Sequence, residues 1–90
     1  MAEKLERQYI AIAKEIAKLR IENLRLEYER LKFQRTEPRV DSPEYDDYRR
    51  RVYTVRRKIS SNRHKINELE MEASKIFAEL RQHYENQLKP

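Results

Sequence analysis

The sequence predicts an all-α fold: two long helices in an antiparallel coiled-coil hairpin that dimerises into a four-helix bundle. Three observations predict it. Apolar residues recur at alternating spacings of three and four along most of the chain. Glycine is absent, and two of the three prolines fall at positions 38 and 43, so one internal segment interrupts helix. A second apolar line on the first helix lies outside the main seam, and a helix apolar on two faces is covered by more than one neighbour.

The first helix is expected over about residues 2–36. Its d positions are Leu5, Ile12, Leu19, Leu26 and Phe33, and its a positions are Ala2, Tyr9, Ile16, Asn23 and Arg30. The loop is expected at 37–42. Pro38 pushes Glu37 out of the helical region. Ser42 reads as an N-cap with Pro43 at the first helical position. Glu44, Asp46 and Asp47 then place carboxylates in the first turn, where the helix dipole favours them. The second helix is expected over about 43–88. Its a positions are Tyr45, Val52, Ile59, Ile66, Ala73, Leu80 and Gln87; its d positions are Tyr48, Val55, Asn62, Leu69, Ile76 and His83. The chain of 90 residues reads as a single domain, too short for a large core, and small domains of this kind gain from oligomerisation.

A short loop between two seams implies antiparallel neighbours. Each seam carries one asparagine, Asn23 and Asn62, and these set the register. One register lays the two amides together and pairs Glu27 with Arg56, Glu29 with Lys58 and Glu22 with Lys65. The other, one heptad shorter, pairs Glu29 with Arg51, Glu22 with Lys58 and Glu15 with Lys65. A mispaired buried amide costs more than exposed ion pairs contribute, so the Asn–Asn register is expected.

Composition narrows the chemistry. Cysteine is absent, which removes disulfides and thiolate metal sites and fits a reducing, cytoplasmic setting. The N-terminal MAEKLERQ has no apolar run and no stretch approaches membrane-span length, so no membrane role is expected. Without glycine there is no phosphate-cradling loop or dinucleotide turn. No nucleophile–base set is visible: Ser60 and Ser61 sit at outward positions among basic residues. His64 and His83 are too far apart on one helix to share a metal within a chain. No catalytic activity, cofactor or metal is expected.

Binding surfaces remain. Ile10, Ala17, Ile21, Leu24, Tyr28 and Leu31 form the second apolar line of helix 1, at b and f positions, and self-association through it is the expected use. A different protein is the other candidate to cover it. The second helix carries a basic repeat, with Arg49, Arg56 and Arg63 at e, Arg50, Arg57 and His64 at f, and Arg51, Lys58 and Lys65 at g. With a net charge of +5, this arc is a candidate nucleic-acid contact through Arg49, Arg50, Tyr53, Arg56, Arg57 and Arg63. Such binding would be backbone-directed and weakly sequence-specific. Glu22, Glu27 and Glu29 are expected to neutralise part of the arc, leaving Arg49, Arg50, Arg57 and Arg63 as spare charge. The acidic tip (Glu37, Asp41, Glu44, Asp46 and Asp47) is explained largely by helix capping.

Overall fold

The structure, a computed structural model, describes residues 2–89. Helix α1 spans Ala2–Arg35 and helix α2 spans Tyr45–Leu88; the described residues contain no strand. The two helices pack against each other along a rod of 75 × 16 × 15 Å. Its radius of gyration is 20.6 Å, against about 12 Å for a compact chain of this length. Its accessible surface is 7843 Å², against about 5,700 Å² for a compact monomer of this mass. Two helices alone therefore leave far more surface in water than a folded chain of this size usually does.

Helix α1 ends where Pro38 makes continuation impossible. Thr36 closes the last turn: its N–H donates to the Phe33 carbonyl at 3.1 Å, and its hydroxyl reaches the carbonyls of Lys32 and Phe33. The start of α2 departs from expectation. The N-cap is Glu44, with no side-chain capping bond, and the helix begins at Tyr45 rather than at Pro43. The Tyr45 N–H donates to the Ser42 carbonyl at 3.1 Å, three residues back. The entry is thus a tight turn that opens into α-helix only afterwards. Ser42 still serves this turn, because its hydroxyl accepts the Glu44 N–H at 3.3 Å and donates to the Glu44 carboxylate. That hydroxyl, followed by the backbone N–H of Glu44, holds the Glu44 carboxyl below its ordinary value.

The core follows the heptads. Leu19 of α1 and Val52, Val55, Ile59, Ile66 and Ile76 of α2 are buried, and all stand at a or d positions. Leu5, Tyr9, Ile12, Ile16, Leu26, Phe33, Leu69, Ala73 and Leu80 are half-buried in the same seam. Gln87, at the last a position, is exposed, so the seam frays at its polar end. Asn62 is 1% exposed, the most deeply buried side chain. Its Nδ2 donates to Asn23 Oδ1 at 2.9 Å, and Asn23 Nδ2 donates to the Ile59 carbonyl at 3.4 Å. The Asn–Asn layer is therefore formed.

The flanking ion pairs are not those expected with it. Glu27 meets Arg63 at 3.7 Å rather than Arg56, and Glu22 meets Lys58 at 3.7 Å rather than Lys65. No Glu29–Lys58 pair forms among the described residues. The reason is geometric. Contacts run in opposite order along the helices: Glu6 with Tyr84, Tyr9 with Phe77, Arg20 with Glu70, Glu27 with Arg63. With that order, e faces e and g faces g diagonally, each pair bracketing two adjacent core layers. Glu22–Lys58, assigned to the shorter register on sequence grounds, belongs to the Asn–Asn register. Arg51 does not reach Glu29 and pairs within its own helix with Asp47 at 3.2 Å. All the cross-helix pairs are substantially exposed, and each contributes at most about 1 kcal/mol.

Candidate interaction surfaces

The apolar line of α1 lies in solvent. Ile10 is 52% exposed, Ile21 51%, Leu24 58%, Tyr28 63% and Leu31 46%, and Ala17 is also exposed. Seam residues on the same helix are half-buried or buried, so α2 covers one face and leaves this one uncovered.

Residues of α2 extend it. The small side chains Ala13 and Ala17 leave a trough between the helices. One stretch is lined by Tyr9, Ala13, Ile16, Ala73, Ser74 and Phe77, with Glu70 beside them. The next is lined by Ala13, Ile16, Ala17 and Ile21 together with the Arg20–Glu70 ion pair, and leads onto the apolar line. Toward the free ends of the helices, Phe77, Leu80, Tyr84 and Leu88 line a further apolar hollow of about 480 Å³. Phe77 is 54% exposed although its ring lies 6.0 Å from that of Tyr9. Tyr84 donates its hydroxyl to the Glu6 carboxylate, and this bond, with partial desolvation, raises the Tyr84 pKa above the ordinary tyrosine value.

Sequence reasoning missed Phe77, Tyr84 and Leu88. The signal was present for Phe77 and Tyr84: the e row of α2 runs Arg49, Arg56, Arg63, Glu70, Phe77, Tyr84, changing from charged to aromatic along one edge.

The basic arc is built as a helix face with a changed list of spare charges. Arg63, expected to be free, meets Glu27 at 3.7 Å. Arg56, expected to meet Glu27, has no carboxylate within 4 Å among the described residues, nor have Arg49, Arg50 and Arg57. The Arg57 guanidinium lies over the Tyr53 ring at 5.7 Å, so Tyr53, 62% exposed, stacks on an arginine plane. Arg49, Tyr53 and Arg56 also line a cleft with Gln34, Glu37, Tyr48 and Val52.

At the acidic tip, Asp47 is engaged by Arg51 and Glu44 by Ser42. Among the described residues no three His, Cys, Asp or Glu side chains group as a metal site would require. His83 packs edge-on to Tyr84 at 5.4 Å, with its ring Nε2 3.1 Å from the Gln87 amide nitrogen. No described helix is long and apolar enough to cross a membrane. The chain matches no protein-family model, no curated protein and no solved structure.

Proposed function

We propose that this chain is a non-catalytic interaction protein: an antiparallel coiled-coil hairpin that self-associates through α1 and, as a four-helix bundle, presents its remaining faces to a macromolecular partner. The observation that carries this reading is the exposed apolar line Ile10, Ala17, Ile21, Leu24, Tyr28 and Leu31, which Ala13 and Ile16 extend toward Phe77 of α2 alongside the Arg20–Glu70 ion pair. Apolar patches of this extent on small proteins mark interaction sites. A second copy is the simplest occupant, because a two-fold axis sets the line against itself and completes a bundle core with no other component. Copies carrying two different tags should co-purify after mixing. Recovery of one tag alone would count against self-association.

A second reading has its own observation. Arg49, Arg50, Arg56 and Arg57 have no carboxylate within 4 Å among the described residues, and a two-fold dimer would double the arc. Backbone-directed nucleic-acid binding would use it. Fluorescence polarisation with a mixed-sequence duplex and an RNA should show binding that falls steeply with salt. Arg49→Glu, Arg50→Glu and Arg57→Glu combined should abolish it while leaving the Arg63–Glu27 pair intact. Absence of binding at low salt would leave the arc solvated or protein-facing.

A further inference from the structure

We propose that the cleft between α1 and α2 around Arg30, Arg56 and Arg63 binds a tetrahedral dianion, inorganic phosphate or the phosphate of a monoester. The cleft, about 310 Å³, is lined by Glu27, Arg30, Arg56, Ile59, Ser60 and Arg63.

Arg30 stands at an a position of α1, where an aliphatic side chain would be the stabilising choice. Its Nε is shut off from solvent and has no hydrogen-bond acceptor. A buried donor left without a partner is destabilising, the more so when charged. Among the described residues the only acceptor its guanidinium has is Glu27, which takes Nη2 at 3.3 Å and is shared with Arg63 at 3.7 Å. Arg56 brings a third guanidinium with no carboxylate within 4 Å among the described residues. Three positive charges against one carboxylate leave two unbalanced in a cleft open to solvent. A dianion balances them by accepting from the guanidinium N–H groups that face the cleft, not from the enclosed Arg30 Nε, and guanidinium forks match tetrahedral oxyanions in geometry. The Ser60 hydroxyl adds a neutral donor at the rim. A phosphodiester, with one charge and two bridging oxygens, fills this role poorly. The cleft shares Arg56 with the nucleic-acid reading but takes in none of Arg49, Arg50 and Arg57, so the diester probe separates the two readings, and nothing in the cleft requires a second copy.

Calorimetric titration of the full chain tests the proposal, at pH about 8 where phosphate groups carry close to two charges, with ionic strength held constant by chloride. Inorganic phosphate, phosphoserine and a dinucleoside monophosphate are the probes. Inorganic phosphate or phosphoserine should bind, and the diester should bind roughly tenfold more weakly or not at all. Tighter binding of inorganic phosphate would mark a free-anion site; tighter binding of phosphoserine, a site for a phosphate carried on a larger molecule. Arg56→Gln, an exposed change, should weaken binding by about tenfold. Arg30→Leu should abolish binding while circular dichroism shows helix content retained. Arg7→Gln, an exposed change remote from the cleft, should leave affinity unchanged. Equal affinity for diester and dianion, equal losses in Arg56→Gln and Arg7→Gln, or no binding of either dianion would overturn the proposal.

Discussion

Leu24→Asp should convert the proposed dimer into single chains. Leu24 is 58% exposed in the hairpin and sits mid-line between Ile21 and Tyr28, so a partner helix laid on this face covers it. Burying a leucine contributes about 1.5–3 kcal/mol. Aspartate forfeits this and sets an unpaired carboxylate in an apolar contact. In a two-fold dimer the change acts twice, so affinity should fall by roughly two orders of magnitude or more. Light scattering at matched chain concentration checks it. Val40→Asp is the control: Val40 is 78% exposed but lies in the loop, off the line, and its mass should not change. If Leu24→Asp keeps the mass of the unmodified chain, α1 does not self-associate through this face.

The second large effect concerns the amide pair. Asn62→Leu should destabilise the chain by about 1–3 kcal/mol, because it leaves the Asn23 amide oxygen without its donor in the seam. Asn23→Leu should likewise leave the Asn62 amide, 1% exposed, without a partner. The double variant should be at least as stable as the original, since both polar groups are then replaced by leucine at coiled-coil positions. The coupling energy in this cycle should therefore at least match the sum of the two single losses, roughly 2–6 kcal/mol. Denaturant unfolding at one fixed chain concentration measures it, because association shifts apparent stability. Additive effects would mean that the amides do not depend on one another. The double variant should also lose register: nothing polar would then oppose a slip of one heptad.

The Asn layer was legible in the sequence because each seam holds one asparagine, and two buried amides have a strong reason to meet. The helices themselves were legible for a similar reason. With no glycine, and Pro38 and Pro43 together, only one break was possible. The ion pairs were not legible. A heptad fixes which row a side chain occupies, and Arg56 and Arg63 share the row opposite Glu27; which of them it meets is set by the offset between the helices, which the packed structure gives. Glu27 therefore met Arg63 instead of Arg56, and the set of spare arginines changed with it. The entry to α2 was misplaced because Ser42 and Pro43 suit both a helix N-terminus and a tight turn, and the Tyr45-to-Ser42 bond selects the turn. The aromatic end of the α2 edge escaped notice because Phe77 and Tyr84 continue a row that begins as arginine. Arg30 was visible as a polar a position; its orphaned Nε needed the packed structure.

Sedimentation equilibrium of the unmodified chain across a range of concentrations tests the central claim most directly. Self-association through α1 predicts a mass of twice the chain's 11.1 kDa that falls toward one chain on dilution. A mass of 11.1 kDa at every concentration would contradict it, and would leave the apolar face to a different protein.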